Sequence, residues 1–98
     1  MIKKEHRKGD KQVKVTFVLP QEEVSGKVSV VGDFNGWDPT KTRLARRSNG
    51  TYSVSVKLKK DGNYAFRYFS EEGAWMNDDS ADAVVLSPFG TRNSVVLT

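Results

Sequence analysis

Trp37 and Trp75 are the residues whose type and setting point most directly to chemistry, because both lie in polar, turn-rich stretches. Trp37 sits in Gly32-Asp33-Phe34-Asn35-Gly36-Trp37-Asp38-Pro39, and Trp75 lies between Glu71-Glu72-Gly73 and Asn77-Asp78-Asp79. The plain alternative is that each indole caps the core from a loop, since tryptophan is usually well buried. Yet alternating positions already supply a core: Val13, Val15 and Phe17, then Tyr52, Val54, Val56 and Leu58, then Tyr64, Phe66 and Tyr68. Two indoles in surplus of that core suit a ligand surface. A flat indole matches a pyranose ring, whose C–H face is apolar and whose hydroxyl rim needs donors and acceptors beside it. Each stacked face is worth about 1–2 kcal/mol at roughly 25 cal/mol per Å². Two of them imply a Kd roughly between micromolar and millimolar. Arg67 alternates out of phase with Phe66 and Tyr68, so its guanidinium projects from the opposite face, where a planar fork of donors can hold adjacent hydroxyls. A merely solvated strand charge is the commoner fate of a single arginine.

Other chemistries fail on the residues available. The one histidine, His6, stands in a charged N-terminal stretch, so a Ser-His-Asp arrangement lacks a rigid base. A glycosidase needs two carboxylates facing each other across a cleft, whereas Asp78, Asp79 and Asp82 fall in one short segment. That segment is a poor Ca²⁺ loop, because Ala83 stands at its sixth position and Phe89 at its twelfth, where Gly and Glu belong. There is no cysteine to act as nucleophile, metal ligand or disulfide partner. No glycine-rich loop is set to cradle a phosphate, and Asn49-Gly50-Thr51 reads as a hairpin turn before it reads as a glycosylation site. The expectation is a chain that is not an enzyme and takes neither metal nor cofactor.

The elements that position these residues are strands. Ninety-eight residues, 37% of them hydrophobic, suffice for one modest core. Residues 1–11 are almost devoid of apolar side chains, so they are expected to form a flexible basic arm. Lys3, Lys4, Arg7, Lys8 and Lys11 against Glu5 and Asp10 place +3 of the formal +4 in that arm, leaving the body nearly balanced. Residues 12–98 form the domain. Period-2 alternation predicts strands over 13–19, 27–31, 52–58 and 64–69, a short one around Trp75, and a last one over 94–97. Asp61-Gly62 suits a tight hairpin turn. With no helical periodicity, the fold class is an all-β antiparallel sandwich. No apolar run approaches the roughly 18 residues that cross a bilayer, so no membrane partner is expected. The charged N-terminus is no secretory signal, and the lack of cysteine fits a cytoplasmic location.

Four segments carry a family resemblance: Gly32-Asp33-Phe34-Asn35-Gly36-Trp37, Phe66-Arg67-Tyr68-Phe69, Gly73-Ala74-Trp75 and Phe89-Gly90-Thr91-Arg92-Asn93. In this order and spacing they resemble family 48 carbohydrate-binding modules, also called isoamylase N-terminal or early-set domains. That family includes the glycogen-binding domain of the AMP-activated protein kinase β subunit, and the resemblance covers about Val13 to Thr98. It implies an immunoglobulin-like sandwich of early-set type that binds α-glucan, glycogen- or starch-like, without catalysis. In the kinase-type modules two tryptophans form a stacking platform, and Trp37 and Trp75 match them. Arg67 stands where the family usually has lysine. Phe89 replaces a leucine that enters the curve of the glucan, and Thr91 and Asn93 match residues that bond sugar hydroxyls. The hairpin before Trp75 is one residue longer than in the kinase version. The partners implied are a maltooligosaccharide or polysaccharide, and a glycogen-metabolising enzyme or kinase on another chain. Two rivals stand beside this reading. One is an early-set domain that holds a protein instead of sugar. The other is a polyanion or nucleic-acid binder joining the basic arm to Trp37, Trp75 and Arg67, which the balanced body charge disfavours.

Overall fold

The computed structural model describes residues 1–24 and 26–98. Two antiparallel sheets face each other, and the alternation read from the sequence decides which side of each strand is buried. In the first sheet, β2 (Gln12–Pro20) turns Val13, Val15, Phe17 and Leu19 inward. It pairs with β5 (Thr51–Lys59) in the register Val15↔Val56 and Phe17↔Val54. Flanking them are β1 (Ile2–Glu5) beside β2 and β4 (Ala45–Arg46) beside β5. The second sheet runs β3 (Val28–Gly32), β6 (Asn63–Ser70), β9 (Arg92–Leu97) and β8 (Ala83–Leu86), with β7 (Trp75–Met76) also paired to β6. Phe17, Val30, Phe66, Tyr68 and Val96 meet between the layers, fully buried. At the edge of this core the Tyr68 hydroxyl donates to Asp78 Oδ2 at 2.6 Å. Burial, with the Asp78 carboxylate beside it, pushes the Tyr68 pKa up, so the hydroxyl stays a donor. The all-β antiparallel sandwich is as expected.

Two turns follow the sequence closely. Asp61 adopts φ +61° between β5 and β6, and Gly50 adopts φ +80° between β4 and β5.

Residues 1–11 correct the expectation of a flexible arm. Residues 2–5 form β1, with Ile2 opposite Phe17 and Glu5 opposite Lys14. Ile2 packs against the core, and the Lys4 ammonium bonds Asp82 beyond the sheet edge. One apolar residue and one ladder are enough here, because β2 already presents a free edge. Strands β4 and β8 also lay outside the sequence expectation. The first is only two residues long, and the second is an apolar run too short to show alternation.

Candidate functional site

The site rests on the outer face of β6. Phe66, Tyr68 and Ser70 point into the core, so Ala65, Arg67 and Phe69 take the other side. Cross-strand pairing extends this face to β9 and β8, where Asn93 stands opposite Val85.

Trp37 reaches the face from the loop after β3. Gly32 ends that strand where a side chain has no room: a Cβ there would lie 2.4 Å from the Ala65 carbonyl oxygen. Asn35 then ties the loop back, accepting from the Gly32 N–H at 3.1 Å and donating to Val30 O at 2.9 Å and Thr42 Oγ1 at 3.0 Å. Past Gly36, Trp37 itself adopts φ +58°, a strained conformation for a bulky residue that costs about 1–3 kcal/mol. Two bonds hold it: the Trp37 N–H donates to Gly32 O at 3.0 Å, and Nε1–H donates to Asp33 Oδ1 at 3.0 Å. The other Asp33 oxygen accepts the Ala65 N–H at 2.9 Å. One carboxylate therefore fixes the indole edge to β6.

Asp33→Asn tests this clamp, because an amide can accept only one of the two N–H donors and turns its own NH₂ toward the other. We expect a loss of about 1–3 kcal/mol in urea unfolding. The Trp37 indole N–H resonance should move while that of Trp75 stays.

Trp75 arrives by a different route. Strand β7 places it opposite Phe69, with ring centroids 4.6 Å apart, and its indole remains 45% exposed. The Arg67 guanidinium carbon lies 5.2 Å from the Trp75 ring centroid, a cation–π contact worth about 0.5–2 kcal/mol. Arg67 is therefore stacked against Trp75 and is not merely a solvated strand charge. Its Nε is buried without a partner among the described residues, and the ends of its fork remain the groups that can meet a ligand.

The third contribution is the turn between β8 and β9. Ser87 Oγ accepts from the N–H groups of Phe89 and Thr91 at 3.2 Å each and lies 2.7 Å from Thr91 Oγ1. Gly90 takes φ +82° to close the turn. This leaves Phe89 at the apex, 92% exposed.

Trp37, Arg67, Trp75, Phe89, Thr91 and Asn93 thus line one open cleft of about 580 Å³. Asp33, Ala65, Val85, Leu86, Ser87 and Pro88 complete its lining and were not singled out from sequence. Val85 and Leu86 belong to a short run between Asp82 and Pro88, which was the available signal for an extra strand. The cleft offers indole and aliphatic surface with few polar groups at its edges. No cluster of three metal-ligating side chains occurs among the described residues.

Over 47 residues the chain is 40% identical to 1,4-alpha-glucan branching enzyme GlgB of Thermosynechococcus vestitus, a match spanning 47% of this chain and 6% of that enzyme. The chain thus corresponds to a small part of that relative's length. The model of carbohydrate-binding module 48 (isoamylase N-terminal domain) matches residues 6–90, most of the chain. The protein therefore belongs to the carbohydrate-binding module 48 family, a family of non-catalytic binding domains with the β-sandwich described above.

Proposed function

We propose that this domain holds α-1,4-linked glucan chains, such as those of glycogen or starch, in the cleft between Trp37 and Trp75. The observation that carries the reading is the convergence of two indoles from separate loops on one apolar cleft with Arg67, Thr91 and Asn93 at its sides. The indoles stack on successive pyranose faces, and the Arg67 fork, Thr91 and Asn93 take hydroxyls at the rim. Phe89 stands over the cleft as an exposed apolar prong against the curve of the chain. The α-1,4 linkage is supported by the branching enzyme, whose name carries that substrate. The domain itself has no catalytic role in this reading and brings a glycogen-metabolising enzyme, or a kinase, on another chain to the glucan. The polyanion rival loses its combined surface, because the basic cluster lies on the first sheet and the indoles on the second.

Calorimetry with maltoheptaose, against a β-1,4-linked oligosaccharide as comparator, tests the reading. Binding of maltoheptaose alone, with a Kd roughly between micromolar and millimolar, is the expected result. Equal binding of both would remove the α-glucan assignment. Arg67→Ala should weaken maltoheptaose binding by about 1–2 kcal/mol. Arg67→Lys should recover part of that loss, because the charge returns without the planar stack on Trp75.

A further inference from the structure

The first sheet carries a second concavity, of about 780 Å³, which shares no residue with the aromatic cleft. It lies where the β1–β2 hairpin meets the end of β5, and six cations line it: Arg7, Lys11, Lys14, Lys57, Lys59 and Lys60. Glu5, Asp10 and Gln12 complete the lining. Six cations against two carboxylates leave a net +4, which equals the formal charge of the entire chain. Everything outside the concavity therefore sums to zero.

Folding creates this concentration. Because β1 pairs back onto β2, Arg7 and Lys11 join lysines that belong to the strands. The basic character accordingly belongs to a face of the fold and not to a loose tail. Lys14 stands directly opposite Lys57 across the β2–β5 ladder, and Lys59 shares that face about 7 Å further on. Like charges placed directly opposite each other destabilise a sheet. Glu5, opposite Lys14 on β1, offsets part of this, but neither ion pair among the described residues, Lys4 with Asp82 and Met1 with Asp78, draws on the concavity. The lining still keeps four uncompensated positive charges close together, a cost that a bound anion would lower.

The lining also specifies the anion. It contains no aromatic side chain, so there is no surface on which a nucleobase could stack. It contains no apolar anchor of the kind that centres a protein interface, and no wedge to enter a bilayer. These six cations line one hollow, which favours a compact ligand over an extended polymer. A small group that presents several negative charges to six donors is a multiply phosphorylated one.

We propose that Arg7, Lys11, Lys14, Lys57, Lys59 and Lys60 form a binding site for a compact ligand bearing two or more phosphoryl groups and no nucleobase, such as an oligophosphate or a sugar bisphosphate. Its binding offsets the Lys14–Lys57 repulsion and stabilises the first sheet, independently of the carbohydrate cleft.

The test is calorimetry on the full chain with inorganic tripolyphosphate, orthophosphate as comparator, and a series of salt concentrations. Tripolyphosphate should bind at least about tenfold more tightly than orthophosphate, with affinity falling as salt rises. Lys57→Gln should weaken tripolyphosphate binding about five- to tenfold and raise the urea midpoint of the unliganded protein. Maltoheptaose affinity should stay unchanged in that variant, so the two sites stand or fall separately. The proposal is overturned if tripolyphosphate gives no saturable binding, or if Lys57→Gln binds it as tightly as the parent. It is equally overturned if short duplex DNA or phosphatidylserine vesicles bind this face more tightly than tripolyphosphate, since the face would then serve a polymer or a membrane.

Discussion

Trp75→Ala is expected to abolish retention on glycogen while leaving the thermal midpoint nearly unchanged. The indole is half exposed and lies outside the buried core, and its strand is two residues long. Its removal takes away a stacked face worth about 1–2 kcal/mol. It also releases the Arg67 guanidinium, which loses its contact and is no longer held at the rim. A combined loss of about 3 kcal/mol is a factor of roughly 100, enough to carry a micromolar-to-millimolar interaction out of range. Trp37→Ala should also remove retention, with a larger change in stability, since Trp37 is half-buried and bonded to Asp33. Relief of its strained backbone offsets only part of that change, because alanine at φ +58° is strained too. Affinity electrophoresis and thermal scans on both variants separate the two effects. A variant that unfolds would identify its indole as structural and remove it from the site.

Gly32→Ala has the largest effect expected on the fold. The new methyl would sit 2.4 Å from a backbone oxygen and 2.9 Å from the Phe66 Cβ, and neither can swing aside as a flexible side chain would. The β3–β6 ladder must part, so the cost should exceed the roughly 1–3 kcal/mol of ordinary overpacking. The Asn35 and Trp37 bonds both end on Gly32, so the loop should shift with the strand. Urea unfolding and maltoheptaose binding should therefore worsen together. A stable variant with unchanged binding would show that β3 and its loop are not coupled in this way.

Sandwich class, the longer strands and the face carrying Arg67 could all be read from period-2 alternation. Val13, Val15, Phe17 and Leu19 leave only one way for β2 to sit. Alternation could not reveal β1, because Lys3, Lys4 and Glu5 outweigh the single Ile2 in composition. What orders β1 is the free edge of β2, a tertiary circumstance absent from local sequence. Positional clues to the cleft came from the motif around Trp37 and the turn around Gly90, where Gly36 and Gly90 adopt positive φ. Its aliphatic wall of Val85 and Leu86 was hidden, since a short apolar run shows no period. The same limitation hid the charge distribution: Arg7 and Lys11 are remote in sequence from Lys57, Lys59 and Lys60, and only the β1–β2–β5 register brings them together.

The central claim, that the aromatic cleft binds α-glucan, is tested most directly by affinity electrophoresis in gels with and without glycogen, repeated with free maltoheptaose as competitor. The expected result is retardation in the glycogen gel that maltoheptaose relieves and that Trp75→Ala lacks. Unretarded migration of the parent protein, or retardation that maltoheptaose does not relieve, would contradict it.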